Sequence, residues 1–343
     1  MTEADSSAED NLIEVRDLVK YYPLKTGFSA SILGSKDFVH AVDGVSFIIK
    51  KGEIFALAGE SGCGKTTTGR CILMLVKPTS GEIIYGGRNI AKLPDSEIRK
   101  LRTKLQIVFQ DPYESVNPRF TIYEIVSEGL FINGLVSTDE EAMERVRTAL
   151  SSVQLTPPEQ FMFRYPHELS GGQRQRVSVA RALVLNPDFV VADEPVSMLD
   201  VSIRAEVLNI MKDLVDKLGI SFIFITHDLA VSKHIADRIA IMYLGKFAEL
   251  APAEELVANP LHPYTQALMA AIPVPDPRAE KIKVLVKGEV PSAARIPSGC
   301  RFHPRCLYAT EICVSQVPEF RMVAQDHWVA CHYAGQVGIA KQK

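Results

Sequence analysis

The stretch Ile54-Phe55-Ala56-Leu57-Ala58-Gly59-Glu60-Ser61-Gly62-Cys63-Gly64-Lys65-Thr66 decides the fold class of this chain. Its first five residues are all apolar, which is typical of a strand that is buried on both faces. A glycine-rich turn follows, and the sequence from Thr66 to Leu75 predicts a helix after it. This order of strand, glycine-rich turn and helix is the context that a phosphate-binding loop requires.

The turn has the chemistry to hold a nucleotide. Its glycines let backbone N–H groups curl around phosphate oxygens, and the N-terminus of the following helix favours negative charge. We expect Lys65 to reach the β- and γ-phosphates and the Thr66 hydroxyl to bind Mg²⁺. A glycine-rich turn with a chance Lys-Thr pair is the alternative, but it does not account for the flanking strand and helix. The predicted nucleotide contacts are Gly59, Glu60, Ser61, Gly62, Cys63, Gly64, Lys65, Thr66 and Thr67.

A second apolar stretch, Phe189-Val190-Val191-Ala192-Asp193-Glu194, predicts a buried strand that ends in two carboxylates. Ligands of open parallel sheets bind at the carboxyl ends of the strands, so these carboxylates are expected beside the phosphates. We assign Asp193 to Mg²⁺, through water, and Glu194 to orienting or deprotonating the attacking water. A solvated Asp-Glu pair in a loop is the alternative, but a phosphate loop calls for such a strand.

Two further predicted strands end in a polar residue in the same way. Leu105-Gln106-Ile107-Val108-Phe109 is followed by Gln110, and Ser221-Phe222-Ile223-Phe224-Ile225-Thr226 is followed by His227. Taken alone, Gln110 reads as a surface residue and His227 as a structural histidine. Together with the acidic pair, they place polar groups at one edge of one sheet. That arrangement suits a γ-phosphate with its metal and water.

The signature peptide, Leu169-Ser170-Gly171-Gly172-Gln173, has two readings. Ser170 and Gln173 satisfy the capping-box pattern for the helix predicted from Arg174 to Val184. Two glycines in a first turn are poor helix formers, however. They make sense where a triphosphate approaches the backbone at a helix N-terminus. Because the chain already has one phosphate loop, a second anion site implies a second nucleotide or a second chain.

In this order, the motifs resemble those of the ATP-binding subunits of ABC (ATP-binding cassette) transporters over roughly residues 10–260. The resemblance implies an α/β fold: an ABC-type P-loop ATPase domain with a mostly parallel core sheet, an antiparallel β edge and a helical subdomain at about 111–175. Tyr22 matches the aromatic residue that stacks on adenine in this family, with Tyr21 as the alternative. Met198 stands where alanine is usual, and we expect no catalytic consequence.

The family works as a head-to-tail dimer in which each phosphate loop is closed by the signature peptide of the other subunit. The resemblance therefore implies that Glu194 is the base, that Gln110 senses Mg²⁺ and the transmembrane subunit, and that His227 contacts the γ-phosphate. It also implies contacts to ATP bound by a partner subunit from Ser170, Gly171, Gly172, Gln173 and Asp200.

Length and composition fit such a subunit. At 343 residues the chain has room for one large α/β domain and a smaller extension, and its net charge of −3 suggests no nucleic-acid partner. No apolar run approaches the roughly 18 residues that a membrane span needs. The start, Met1-Thr2-Glu3-Ala4-Asp5, is polar and acidic and predicts no signal peptide. We expect a chain that is peripheral at the cytoplasmic face of the cell membrane and depends on two transmembrane permease subunits.

A narrower resemblance begins at Asn259-Pro260-Leu261-His262-Pro263-Tyr264-Thr265-Gln266-Ala267-Leu268. This segment is similar to the C-terminal signature of dipeptide/oligopeptide transporter ATPases, which implies peptide import with an extracytoplasmic substrate-binding protein. Oligosaccharides and nickel are served by close relatives and remain alternatives. The sequence from Glu194 to Ser202 is more similar to one of the two paired ATPases of such systems than to the other. We therefore expect a heterodimer with a second, similar ATPase.

The predicted organisation has three parts: a disordered tail at 1–11, an ABC ATPase domain at 12–258 and a C-terminal domain at 259–343. We read Leu24 to His40 as a surface insertion. The prolines from Ile272 to Pro277 predict a link without helix, followed by a short strand from Ile282 to Val286.

Four of the six cysteines lie within the last part, with the spacing C-x5-C-x6-C-x17-C: Cys300, Cys306, Cys313 and Cys331. A cytosolic protein does not favour disulfides, whereas zinc or a [4Fe-4S] cluster accepts four thiolates. The spacing matches neither the usual zinc pairs nor the ferredoxin run. The segment Cys300-Arg301-Phe302-His303-Pro304-Arg305-Cys306 resembles the motif of peptide-transporter ATPases that hold a [4Fe-4S] cluster, so we prefer iron–sulfur, in a structural role. The histidines close enough to be alternate ligands are His303, His327 and His332.

Two rival classes are a soluble ABC ATPase of DNA repair or translation, and an iron–sulfur binding module in which ATP use is secondary. Soluble ABC ATPases usually carry a long coiled-coil insertion or two cassettes in one chain, and this sequence has neither. The motor of a transporter is therefore the preferred reading.

Overall fold

The structure, a computed structural model, describes residues 10–24, 38–111, 116–272 and 286–337. Most of the predicted insertion, most of the predicted tail, most of the proline-rich link and nearly all of the strand expected from Ile282 lie outside the described residues. The end of the predicted insertion is wrong, because Phe38–His40 belong to a strand that runs from Phe38 to Lys50. Contacts divide the chain into two compact units. The first unit consists mainly of Ile49–Ile54 and Lys92–Ile225, and the second mainly of Ile13–Ile48, Phe55–Ala91 and Thr226–Lys343.

The described strands are β1 (Asn11–Pro23), β2 (Phe38–Lys50), β3 (Ile54–Ala58), β4 (Ser80–Tyr85), β5 (Arg88–Asn89), β6 (Leu105–Val108), β7 (Phe189–Asp193), β8 (Ser221–Thr226), β9 (Arg238–Tyr243), β10 (Lys246–Pro252), β11 (Arg321–Ala324) and β12 (His327–Val329). The described helices are α1 (Lys65–Ile72), α2 (Asp95–Leu101), α3 (Ile122–Ile132), α4 (Asp139–Ser152), α5 (Glu159–Met162), α6 (Gly171–Leu183), α7 (Val201–Leu218), α8 (Leu229–Ile235), α9 (Ala253–Ala258), α10 (Pro263–Ala270) and α11 (Glu311–Ser315).

In the first unit, the strands β6, β7 and β8 lie side by side and run parallel, with β7 in the middle. All residues of β7 and β8 are buried, as their uninterrupted apolar sequences predict. The helices α3, α4 and α6 pack against one another. The buried side of α4 carries Ala142, Val146, Ala149 and Leu150, which is the spacing of one helix face.

The second unit contains two groups of strands. A four-stranded sheet has the order β2-β1-β4-β5, in which β4 pairs antiparallel with both β1 and β5. In the other group, β3 pairs parallel with β9, and β9, β10, β12 and β11 continue as antiparallel neighbours. The parallel core strands with an antiparallel edge agree with the predicted α/β class.

The described part of the C-terminal extension, residues 259–272 and 286–337, packs on the strands of the second unit. Its hairpin β11–β12 joins the sheet through β10, with Glu249 opposite Val329. Tyr264 and Phe302 of the extension share one buried cluster with Ile239 and Ile241 of β9. The extension therefore contributes to the same core as the strands that follow the phosphate loop.

Candidate functional site

The phosphate loop, Gly59–Thr66, depends on glycine for its own shape. Gly59, Gly62 and Gly64 all have a positive φ, which only glycine adopts without strain. A Cβ at Gly59 would lie 2.3 Å from the Met242 carbonyl oxygen, and one at Gly64 would lie 2.0 Å from that of Ala41. The loop passes too close to neighbouring backbone for any side chain at these two positions.

Lys65 is buried at the start of α1 and reaches back into the loop. Its ammonium group donates hydrogen bonds to the carbonyl oxygens of Gly59, at 2.8 Å, and Glu60, at 3.0 Å. A cation enclosed by a curled loop at a helix N-terminus is the arrangement that attracts phosphate. The neighbouring Cys63 is buried, and burial raises the pKa of its thiol, so it contributes no negative charge.

In the first unit, the structure brings Gln110 and Glu194 together. The Gln110 amide nitrogen, just beyond β6, donates a hydrogen bond to a Glu194 carboxylate oxygen at 3.1 Å. Asp193 is the last residue of β7 and is buried. Glu194 has a φ of 49°, a strained conformation for a residue other than glycine. Strain at a carboxylate that a neighbouring amide holds in place is a common property of reactive sites.

The signature peptide forms the helix cap that its sequence predicts. The Ser170 hydroxyl accepts from the Gln173 backbone N–H at 3.3 Å, and the Gln173 side chain accepts from the Ser170 N–H at 3.0 Å. Its two glycines differ. A Cβ at Gly171 would have its nearest neighbour, Leu199, at 3.8 Å, whereas one at Gly172 would lie 2.4 Å from Ile203 Cγ2. Packing against α7 therefore explains Gly172 within the chain, and the sequence does not predict this contact.

The remaining predicted site residues occupy separate positions. Asp200 is exposed and precedes α7, and its side chain makes no capping hydrogen bond. His227 is exposed directly after β8.

Of the two candidate adenine-stacking residues, Tyr21 donates its hydroxyl to Asp43 and packs on His40 at 4.1 Å between ring centres. Tyr22 is exposed, with the Lys20 ammonium 4.9 Å from its ring centre. Its exposure favours Tyr22 as the stacking residue.

Two residues of the extension contact the phosphate loop, and the sequence predicts a role for neither. The Tyr264 hydroxyl accepts a hydrogen bond from the Glu60 backbone N–H at 2.9 Å. The Arg305 guanidinium donates to both carboxylate oxygens of Glu60, at 2.6 and 3.0 Å. These partners are separated from Glu60 by 204 and 245 residues. No local pattern in the sequence could have found them.

The predicted metal-binding cysteines share one cavity. It is lined by Cys300, Cys306, Cys313 and Cys331, together with His303 and His332 among other residues. Burial raises the pKa of Cys300 to about 11 and that of Cys331 to about 12, and neighbouring thiols act in the same direction. The backbone N–H of Cys300 donates to the Cys313 carbonyl at 2.8 Å, which joins two of the cysteine segments.

His327, the third candidate alternate ligand, is not in this cavity. It is fully buried, and its Nε2 lies 2.7 Å from a carboxylate oxygen of Glu249. Across the described ranges of the chain, no group of three or more histidine, cysteine or acidic side chains is arranged to hold a metal ion. The predicted cluster is therefore not confirmed by the arrangement of the side chains.

These features define the class of the protein. A phosphate loop with an enclosed lysine, a buried strand that ends at Asp193 and is followed by Glu194, and a capped Ser-Gly-Gly helix together are those of an ATP-binding cassette ATPase. The ABC transporter family profile matches residues 42–197, and that of the oligopeptide/dipeptide transporter C-terminal region matches residues 248–313.

Known relatives narrow the class to a family. The chain is 48% identical over 327 residues to the oligopeptide transport ATP-binding protein AppF of Bacillus subtilis, which covers 94% of this chain and 98% of that protein. It is 30% identical to the ATP-binding cassette MJ0796, solved as a dimer bound to ADP and phosphate, with a TM-score of 0.62 over 71% of this chain and 99% of that one. It is 29% identical to CbiO1 from Clostridium perfringens, with a TM-score of 0.62 over 73% and 92%.

The chain belongs to the ATP-binding subunits of the oligopeptide/dipeptide ABC transporters, and it is an ATPase. Among the helices of the described residues, none combines the length and the apolar character that crossing a membrane requires.

Proposed function

We propose that this subunit powers the import of peptides, in a head-to-tail pair of ATP-binding cassettes. The observation that carries the proposal is the 48% identity to an oligopeptide transport ATP-binding protein along 94% of the chain. The match spans the extension as well as the cassette, and the extension is the part that the oligopeptide/dipeptide profile describes.

The proposed chemistry starts from contacts that each lie within one unit. Lys65, enclosed by the loop, exchanges its bonds to loop carbonyls for bonds to the β- and γ-phosphates. Glu194 orients and deprotonates the attacking water, with Gln110 fixing its carboxylate. His227 donates a hydrogen bond to the γ-phosphate.

Mg²⁺ accompanies ATP in this proposal. The donors offered by Thr66, Gln110 and Asp193 are oxygen atoms, the ligands that Mg²⁺ prefers, and Asp193 is held buried at the end of β7. Bound with the nucleotide, Mg²⁺ neutralises the charge of the phosphates.

The partner's ATP is the proposed ligand of the signature peptide. Ser170 and Gly171 lie at the start of α6, where backbone N–H groups attract an anion. Among the described residues outside the helix's own first turns, the nearest atom to a Cβ at Gly171 would be Leu199 Cδ2, at 3.8 Å. Gly172, Gln173 and Asp200 complete the contact. MJ0796, one of the solved relatives, is a dimer with ADP and phosphate bound, which supports a paired arrangement. We propose a second, similar cassette rather than an identical copy as the partner.

The proposed membrane partners are two permease subunits, supplied by an extracytoplasmic substrate-binding protein, with this chain at the cytoplasmic face. Support comes from the apolar side chains that the helical part of the first unit exposes. Ile132 at the end of α3 is 77% exposed and Phe163 after α5 is 61% exposed. Exposed apolar side chains of this size are typical of surfaces that another protein covers.

Transport of a labelled peptide tests the proposal. Cells that contain the whole transporter should accumulate the peptide, and cells in which this chain carries Glu194→Gln should not. Oligosaccharide and Ni²⁺ uptake, measured in the same cells, are the other arms. If uptake of nickel or sugar depends on Glu194 and no peptide is taken up, the substrate is nickel or a sugar and not a peptide. Intact peptide uptake in the variant would show that ATP hydrolysis by this subunit does not power transport.

We also infer that the four cysteines of the extension hold a [4Fe-4S] cluster, with zinc as the alternative. The support is that all four thiols line one cavity and that none is in a disulfide. Four thiols are the donor set for either group. A cluster there would tie the segments around Cys300, Cys313 and Cys331 together, and nothing assigns it electron transfer.

Anaerobic purification followed by iron, sulfide and zinc analysis decides the question. Four iron and four sulfide per chain, with visible absorbance that disappears on Cys306→Ser, is the expected result. Zinc without iron selects the alternative, and an absence of both metals rejects the site.

A further inference from the structure

One residue of the phosphate loop is held from two sides by the C-terminal extension. Glu60 follows the first glycine of the loop. Its backbone N–H donates to the Tyr264 hydroxyl, and its carboxylate accepts two hydrogen bonds from the Arg305 guanidinium. A two-pronged arginine–carboxylate pair fixes direction as well as distance, so both the backbone and the side chain of Glu60 are oriented.

The two contacting residues are themselves rigidly placed. Tyr264 is 1% exposed, and its ring centre lies 4.7 Å from that of Tyr243 and 5.3 Å from that of Phe302. The Arg305 guanidinium carbon lies 5.9 and 5.8 Å from the same two ring centres. An aromatic cluster therefore supports both contacts to Glu60, and little side-chain freedom is left to lose when the loop binds a ligand.

A line of buried hydrogen bonds continues behind Tyr264. Its backbone N–H donates to His262 Nδ1 at 3.0 Å, and the His262 backbone N–H donates to Glu249 at 3.0 Å. Glu249 also lies 2.7 Å from His327 Nε2. Burial lowers the pKa of His262 to about 4, so its ring is neutral at pH 7 and Nδ1 is an acceptor. The position of Tyr264 is thus fixed by two further segments of the second unit.

The negative charge of Glu60 means that these contacts affect nucleotide binding. A carboxylate in the loop that binds the phosphates repels them unless it is neutralised. The Glu60 carboxylate is about one-third exposed and Arg305 one-tenth, so solvent screens the pair only in part. The guanidinium supplies the compensating charge within hydrogen-bond distance.

We propose that Tyr264 and Arg305 are positioning residues for ATP: through Glu60 they hold the first turn of the phosphate loop and cancel a negative charge beside the nucleotide. The extension is then part of the nucleotide site and not only a family-specific appendage. This inference rests on the assignment of Gly59–Thr66 as the ATP site.

Equilibrium binding of a fluorescent ATP analogue to the full chain tests the role of charge. Arg305→Gln leaves the Glu60 carboxylate without its partner and should raise the Kd about tenfold. Glu60→Gln removes the charge together with the ion pair, so its Kd should rise less than that of Arg305→Gln, and the double variant should bind better than Arg305→Gln because the unpaired charge is gone. The loss in Arg305→Gln should shrink at about 0.5 M salt. A double variant as weak as Arg305→Gln, or an unchanged Kd in Arg305→Gln, would overturn the role of charge.

Arg301→Gln is the matched control. Arg301 lies in the same segment, is similarly buried and pairs with Asp43 and the Leu244 carbonyl instead of the loop. It should leave the Kd within about twofold while showing how far loss of a buried arginine destabilises the extension. If both arginine variants weaken ATP equally, Arg305 acts through folding and the proposal fails.

Tyr264→Phe tests the second contact by removing one oxygen atom. The Glu60 N–H loses its acceptor, and KM for ATP should rise about threefold with little change in kcat. Tyr333→Phe, which removes a hydroxyl bonded to Thr310 in the extension, should change neither constant. Equal effects of the two variants would overturn the positioning role of Tyr264.

Lys65→Ala separates this inference from the site assignment. If Lys65→Ala binds ATP as well as the unmodified chain, the phosphate loop is not the site and the proposed function fails. If Lys65→Ala abolishes binding while Arg305→Gln does not weaken it, only the positioning role is wrong.

Discussion

The phosphate loop and the signature peptide are both built on glycine, but for different reasons. Gly64 in the loop has a φ of +112°, and a Cβ there would lie 2.0 Å from the Ala41 carbonyl oxygen. Gly171 in the signature peptide is the first residue of a helix, and a Cβ there would meet nothing closer than 3.8 Å. The fold of the chain requires glycine at position 64 but would accept a side chain at position 171.

The difference shows where each motif finds its ligand. The loop curls around its own lysine and is held in place by the extension at Glu60, so one chain supplies most of its geometry. The signature peptide is a well-formed helix cap with space in front of Gly171. A glycine that no internal contact demands, at a capped helix start, is explained if a partner's nucleotide approaches it.

Glu194→Gln gives the largest expected effect and tests whether the two motifs meet. Hydrolysis by the assembled transporter should fall about 10²- to 10⁴-fold, because the base is lost. ATP should still bind and the cassettes should still pair, because the phosphate loop and the signature peptide are unchanged. ATPase assays and the ATP-dependent mass of the purified cassettes by light scattering measure the two properties. Pairing that is lost together with hydrolysis would show that Glu194 has a structural role.

Gly64→Ala tests the internal requirement of the loop. Its Cβ would strike the Ala41 carbonyl and its φ is left-handed, so we expect a loss of about 3 kcal/mol or more in unfolding free energy and no measurable ATP binding. Urea denaturation and nucleotide titration measure both. Gly62→Ala is the control, since its φ is +77° but the space around it is open. It should cost only about 1 kcal/mol, and equal losses in the two variants would remove the backbone clash as the cause.

Much of this loop and its surroundings was predictable from short apolar runs. The strands β3 and β8 begin and end where the sequence predicts, and β7 begins as predicted and ends one residue early, at Asp193. These strands were predictable because a strand buried on both faces has a largely apolar sequence. The Ser170 cap was predictable because its hydrogen bonds join residues three apart. Local rules suffice where the interacting atoms are close in sequence.

The contacts that were not predictable join distant residues. Glu60 meets Tyr264 and Arg305 only after the extension has packed on β9 and β10, and no spacing rule connects them. The clash that excludes a side chain at Gly172 likewise depends on how α7 lies against α6. Tertiary packing decides which residues fit at such positions. The sequence does not show that packing, so it predicts only the contact of Gly172 with a partner. The roles predicted for the ATP-site residues remain predictions.

Gly171→Ala addresses the signature peptide directly. Alanine is the better helix former, and its Cβ would meet Leu199 Cδ2 only at 3.8 Å, an ordinary contact, so the unfolding free energy should stay the same or rise by up to about 1 kcal/mol. ATP hydrolysis by the assembled transporter should nevertheless fall about tenfold, because the methyl group stands where a partner's nucleotide approaches. Chemical denaturation and ATPase assays on the same preparation measure the two properties. Unchanged hydrolysis would mean that Gly171 faces no ligand.

Gly172→Ala should show the opposite pattern, a loss of stability that arises within the chain. Its Cβ would lie 2.4 Å from Ile203 Cγ2, and a β-branched side chain on a helix has little freedom to turn away. We expect a loss of about 1–2 kcal/mol in unfolding free energy. Adding Ile203→Ala should recover most of that loss, and a double-mutant cycle by urea denaturation measures the coupling. If Ile203→Ala recovers no stability, then packing within the chain does not explain Gly172, and it joins Gly171 as a position that only a partner can explain.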